Sequence, residues 1–177
     1  MNKKLEEFNN KLKVSNIAII GLGVSNIPLL DYLHDMGCNV TVFNTKELDS
    51  NLLEKLDISG VTVLNDRIEN IKEKEGFDIV TSRAVSELRI LAELSLPYLK
   101  IGGKVIALKS HVDEELLKAS DTTDILGGSK PKIIDINLPE ALGKRCFVEI
   151  TKEKPTEKIY PRIYDKILKY PLKKNSK

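Results

Sequence analysis

Tryptophan is absent from this chain of 177 residues, aromatic side chains make up only 5% of it, and cysteine and histidine occur twice each. Each shortage closes off a class of proteins. Cys38 and Cys146 are too few for a disulfide framework, and with no cluster of cysteine or histidine around them they make no zinc site; a reducing, cytosolic setting is expected. His34 and His111 are isolated, with no partner for metal binding or acid–base work, and receive no role. No apolar run approaches the ~20 residues of a membrane span, and the start, Met1 to Glu7, is too acidic and too helical for a signal peptide. A soluble, untargeted protein is expected.

What is present suffices for one domain with its own core, since 41% of the residues are hydrophobic. The formal net charge is only +2, but it is unevenly spread: from Lys152 to Lys177 there are nine Lys or Arg against three acids. Such a tail can track a phosphate backbone, or it can simply be solvated and frayed.

The most informative stretch is Asn16 to Leu30. An apolar run ends in Gly21-Leu22-Gly23 and then turns helical, which reads as strand, tight turn, helix. Gly21 permits a sharp turn, and Gly23 puts no side chain between backbone N–H groups and a ligand at the positive end of the helix. Two features of a dinucleotide fingerprint are missing: Asn26 stands where the third glycine belongs, and Asn44 where an acid should follow the second strand. Glu47 and Asp49 lie nearby at another spacing. The turn can hold a nucleotide or be only a tight connection. Asn26 is expected to cap the helix, with Pro28 in its first turn.

Around this turn the chain alternates strand and helix. A leading amphipathic helix over 1–13, with Leu5, Phe8 and Leu12 on one face, is expected to cover part of a sheet. Strands are expected at Asn16–Ile20, Asn39–Phe43, Val61–Leu64, Phe77–Thr81 and Lys104–Leu108. Helices should fill Ile27–Met36, the stretch after Asp49, Ile68–Lys74, Val85–Leu99 and a segment from Asp113 to about Ile125. Gly102-Gly103 should punctuate before the fifth strand. Lys132–Asn137 and Arg145–Thr151, joined by a short link, should pair antiparallel. The fold class is therefore α/β: one Rossmann-like, doubly wound, mostly parallel sheet with an antiparallel C-terminal strand pair. Its ligand rim would gather Gly21, Gly23, Asn44, Asn65, Asp66, Ser82, Arg83 and Lys109.

Two family resemblances meet within this pattern. From about residue 60 onward, Asn65-Asp66-Arg67-Ile68-Glu69, Phe77 to Val85, Leu96 to Gly103, Ala107-Leu108-Lys109, Leu126-Gly127-Gly128 and Tyr160-Pro161-Arg162 occur in order. This region resembles the bacterial 16S rRNA guanine-N7 methyltransferases, the glucose-inhibited division protein B family. Residues 1 to about 45, including Gly21 to Leu29 and Gly37 to Phe43, resemble instead the first domain of the UDP-N-acetylmuramoylalanine:D-glutamate ligases, where this turn faces a uridine nucleotide.

Together the resemblances imply a chimera, natural or engineered, with its crossover between about Thr45 and Gly60. The first implies a class I methyltransferase-like fold using S-adenosylmethionine. That cofactor would sit over Gly21 and Gly23, with its ribose near Asn44 or Glu47 and its adenine near Asp66, Arg67, Ile68 and Glu69. Arg83, Lys109 and Arg162 would face the RNA phosphates or the target base, and the basic tail 152–177 would add to the rRNA contact. Guanine N7 already carries a lone pair, so positioning and not a general base would do the work. The replaced cofactor turn, the missing acid and the missing rRNA-facing region point to impaired or absent catalysis. A nucleotide-binding module or an engineered scaffold without a ligand is the alternative.

Overall fold

A computed structural model describes residues 3–23, 26–45, 50–52, 54, 61–72, 74–83, 86–110, 112–136 and 143–174. Its elements follow in the order α1 (Lys3–Lys13), β1 (Asn16–Ile20), α2 (Ile27–Asp35), β2 (Asn39–Phe43), β3 (Thr62–Leu64), β4 (Phe77–Arg83), α3 (Leu88–Ser95), β5 (Leu99–Lys109), α4 (Asp113–Ile125), β6 (Lys132–Ile136), β7 (Arg145–Thr151) and α5 (Tyr164–Lys169). The strands form one sheet in the order β3-β2-β1-β4-β5-β7-β6. β1 pairs in parallel with β2 on one side and β4 on the other, so the winding reverses between β1 and β4. β5 with β7, and β7 with β6, are antiparallel. The doubly wound sheet with an antiparallel edge is therefore present.

Alternation along the strands sends side chains to two cores. Ile17 and Ile19 of β1 join Leu30 and Leu33 of α2 with Val40 and Val42 of β2. Ala18 and Ile20 face the opposite way, into a larger cluster with Val80, Val105, Ala107, Val148 and Ile150 from the sheet and Leu88, Leu91 and Leu94 from α3. β1 is buried along nearly its whole length, as a central parallel strand must be. β7 alternates instead: Cys146, Val148 and Ile150 are buried while Phe147 is exposed.

Several local expectations need correction. Asn26 occupies the N-cap position of α2 but makes no side-chain cap bond; its Nδ2 donates to the Gly21 carbonyl at 2.6 Å. The helix expected over Ile68–Lys74 is only a 3-10 turn, Ile68–Asn70, because the chain is extended again at Ile71. The helix expected to reach Leu99 gives way after Ser95 to a 3-10 turn, Leu96–Tyr98, as Pro97 in its last turn predicts. Gly102 and Gly103 do not precede the fifth strand but lie inside it. There the pairing with β4 slips between Phe77↔Leu99 and Ile79↔Lys104, Gly102 has φ +83°, and a Cβ on Gly103 would lie 2.9 Å from the Lys100 carbonyl oxygen. Leading helix α1 anchors through Leu12; Leu5 and Phe8 stay about half exposed. Of the helix after Asp49, residues 50–52 and 54 are helical and the remainder lies outside the described residues.

The basic tail is not frayed over its described part. Ile167 of α5 is buried against the larger core, and Arg89 of α3 donates to its carbonyl at 2.9 Å. Lys152 is fully buried. Its Nζ donates to the carbonyls of Leu96 (2.8 Å) and Leu126 (3.2 Å) and to the Thr156 hydroxyl. Three acceptors match the three protons of an ammonium group.

Candidate functional site

At the carboxyl ends of the strands, where the winding reverses, the structure has a cavity of about 220 Å³. Such switch points are where open α/β sheets bind ligands. Its apolar wall is made by Ile20 at the end of β1, Phe43 at the end of β2, Ile68 from the 3-10 turn, Leu94 of α3 and Tyr164 of α5. Its polar groups are Gly21, Asn44, Thr45, Asp66, Arg67 and Glu69. Six of the residues singled out from sequence, Gly21, Asn44, Asp66, Arg67, Ile68 and Glu69, thus line one cavity. Gly23 is not among them: it is exposed, and a Cβ there would meet nothing within 4 Å. Glu47 lies outside the described residues.

The glycine turn is braced from within. Gly21 adopts φ +80°, a left-handed conformation that favours glycine, and its N–H donates to the Phe43 carbonyl at 2.8 Å. The next N–H, of Leu22, donates to Asn44 Oδ1 at 3.2 Å, and the Gly21 carbonyl accepts from Asn26. The first two N–H groups of this turn are therefore engaged by the protein itself, which is not the open cradle that a phosphate requires.

On the other side of the cavity, Asp66 Oδ1 accepts from the Arg67 N–H (2.7 Å) and from Asn70 Nδ2 (2.6 Å), a short side-chain-to-backbone link that shapes the turn. Arg67 stands with its Cζ 5.0 Å from the centre of the Tyr164 ring and its Nη1 3.6 Å from Glu69 Oε1. The Glu69 side chain is only 7% exposed. Burial, with the Glu69 charge as a secondary cause, pushes the nearby Tyr98 phenol well above its ordinary value, and that hydroxyl donates weakly to the Ile71 carbonyl at 3.4 Å. The cavity is thus apolar on one side and rich in carboxylates on the other.

The residues expected to face RNA have different surroundings. Arg162 turns inward: its Nε and Nη2 donate to the two carboxylate oxygens of Glu93 at 2.7 and 2.8 Å, and its backbone N–H donates to Oε1 at 3.2 Å. The bonds to Glu93 hold the guanidinium above its ordinary value in spite of burial. Lys109 Nζ donates to Glu115 Oε2 (2.7 Å) and to the Ser86 carbonyl (2.6 Å), and the same Glu115 oxygen accepts from the Leu88 N–H at the start of α3. Both cations are engaged in ion pairs that fix helices. Arg83 belongs to β4, opposite Leu108 of β5.

Sequence reasoning missed Glu93, Lys152 and Tyr164. The first two left a signal: Glu93 interrupts the apolar run Ile90 to Leu94, and the period of two through Cys146, Val148 and Ile150 points Lys152 inward. Tyr164 left none. Among the described residues no group of three or more His, Cys, Asp or Glu could hold a metal ion, and no helix is long and apolar enough to cross a membrane.

Comparison with known proteins accords with this architecture. A family model described as rRNA small subunit methyltransferase G matches residues 49–140. The chain belongs to this family. The ribosomal RNA small subunit methyltransferase G of Clostridium beijerinckii is 37% identical over 153 residues, covering 84% of this chain and 60% of that protein. The protein of the same name from Staphylococcus epidermidis is 35% identical over 162 residues, covering 88% of this chain and 67% of that protein. The chain therefore spans about two thirds or less of the length of these methyltransferase G relatives. Coverage of 88% also leaves too little of the chain outside the alignment to exclude the first β–α–β unit. The likeness to the methyltransferase G family is thus not confined to the chain beyond residue 60. Among solved structures, a methyltransferase from Pyrococcus furiosus matches at 20% identity with a TM-score of 0.60, over 87% of this chain and 84% of that one. A 1,6-didemethyltoxoflavin-N1-methyltransferase from Burkholderia thailandensis, solved with S-adenosylhomocysteine, matches at 10% identity with a TM-score of 0.61, over 86% and 79%. These two likenesses show the fold alone, and it is that of class I methyltransferases.

Proposed function

We propose that the cavity binds S-adenosylmethionine and that the chain is a methyltransferase domain directed at small-subunit rRNA, with guanine N7 as the accepting atom and with methyl transfer weakened by the make-up of the site. The observation that carries this reading is the polarity of the cavity. Two carboxylates, Asp66 and Glu69, line it, while the first N–H groups of the glycine turn are already bonded. A cationic ligand bearing an adenine amine and ribose hydroxyls suits that arrangement, and a diphosphate does not. When bound, the cofactor would supply an electrophilic methyl group on a sulfonium.

The chain's own residues would bind and orient. Ile20, Phe43, Ile68 and Leu94 remove apolar surface from water, Gly21 lets the backbone come close, and the carboxylates accept hydrogen bonds. Asn44 stands where a carboxylate would grip both ribose hydroxyls, and its Oδ1 is occupied by Leu22, which is the reason for weakened transfer. RNA would be met by the exposed lysines of the C-terminal segment, Lys154, Lys158, Lys166, Lys169 and Lys173, through phosphate contacts that weaken with salt.

A second reading, recombination with a ligase-type first unit that still holds a uridine nucleotide, rests on the sequence resemblance of the strand–glycine–helix turn, while the bonded N–H groups there count against it. Calorimetric titration with S-adenosylhomocysteine beside the same titration with UDP separates the two. Heat with the former at micromolar concentration and none with the latter is expected. Heat with UDP alone overturns the methyltransferase reading. A methylation assay on 16S rRNA then measures how much transfer remains.

A further inference from the structure

Tyr164 stands in the cavity wall although it comes from α5, a helix too short to be stable by itself. Its place is fixed from both sides. Two residues before it, Arg162 is clamped to Glu93, whose side chain is 1% exposed. Three residues after it, Ile167 is buried, with its carbonyl bonded to Arg89. The ring is therefore held ready before any ligand arrives.

One face of that ring already carries a planar group, the Arg67 guanidinium at 5.0 Å. This guanidinium is loosely kept: its side chain is about half exposed, and its ion-pair contact to Glu69, at 3.6 Å, is beyond hydrogen-bond reach. In the same lining, Ile68 and Leu94 add apolar surface, and Asp66 and Glu69 add acceptors. The slot fits an aromatic heterocycle with amino donors on its rim. A cation inside the cavity would moreover repel a sulfonium, so its departure favours such a ligand.

Resting on the nucleoside-binding reading above, we propose that Tyr164 is the residue that grips the base: the purine stacks on the Tyr164 ring in the place that Arg67 holds, and Arg67 swings out to solvent. Tyr164 is thus a specificity-determining residue supplied by the C-terminal segment. It acts through its ring face and not through its hydroxyl.

The test is calorimetric titration of the full chain and its variants with adenosine and with S-adenosylhomocysteine. Tyr164→Phe should bind like the wild type. Tyr164→Leu, which keeps the apolar volume and loses the aromatic face, should weaken both ligands by about tenfold while melting at the wild-type temperature. Arg67→Ala should bind as tightly as the wild type or more so. Because the chain has no tryptophan, Tyr164→Trp places a single indole in the wall, and its emission should be quenched as adenosine is added. Wild-type binding retained in full by Tyr164→Leu, or an indole blind to adenosine, overturns the stacking role and leaves the nucleoside reading standing. Failure of the wild type to bind either probe overturns both.

Discussion

The two halves of this molecule fix their irregular backbone by different chemistry. Around β1 and β2 neutral amides do it: Asn26 holds the Gly21 carbonyl, Asn44 holds the Leu22 N–H, and Asn39 donates to Asn16 Oδ1 at 2.6 Å where the two strands begin. Around α3, β5 and β7 ionised groups do it: Glu93 with Arg162, Lys109 with Glu115, and Lys152 with three acceptors. A neutral amide leaves little behind when removed. A buried charge does not: removing one partner strands the other in a medium that cannot solvate it. The C-terminal half should therefore be brittle to single substitutions, and the N-terminal half tolerant.

The largest effect should come from Arg162→Ala. It leaves the Glu93 carboxylate buried without its bidentate partner, and a loss of about 3–5 kcal/mol is expected in urea unfolding. The double variant Glu93→Leu/Arg162→Leu should be less destabilised than Arg162→Ala, because no stranded charge remains. If the double variant is worse, burial of the charge is not what makes this half brittle.

Next comes Lys152→Met, which removes the charge-assisted bonds to the Leu96 and Leu126 carbonyls, leaving them the Leu99 N–H and the Thr156 hydroxyl, and should cost about 1.5–3 kcal/mol. Lys152 also gives the comparison a pH signature. Burial pulls its ammonium down to about 8, and the charge of Glu75 offsets only part of that. With the folded value below the unfolded one, the unfolded chain binds more protons between them, so this group makes stability rise as pH climbs from about 8 towards the ordinary lysine value. Lys152→Met should lack that rise in melting temperatures recorded across the interval.

The smallest effect should come from Asn26→Ala, at about 1 kcal/mol, since the Gly21 carbonyl it releases lies near solvent at the turn. A loss as large as that of Arg162→Ala would erase the contrast between the halves.

The same contrast explains what could be read from the sequence. Apolar runs and glycines report burial and turns directly, so β1, β2 and β7 were legible to the residue. Asp66 could be placed at the cavity because strand order and the switch point locate a loop without knowledge of its shape; Arg67, Ile68 and Glu69 were placed there by the family resemblance. Charges were harder to read because their meaning depends on a partner that the local pattern does not name. Arg162 and Glu93 are 69 positions apart, and the period of two that turns Lys152 inward would do the same for Lys154, which is exposed. The glycines at 102 and 103 misled for a related reason: they serve a slip of register against β4, which belongs to the pair of strands and not to either one.

The Tyr164 wall also sets an order of events during synthesis. A ribosome must have produced all seven strands before it reaches this residue, and Arg162 must find Glu93 before the ring is held. The sheet can form as a half-open groove while the final wall is still to come. Any small molecule that depends on that wall must wait until the chain through α5 has been made and docked.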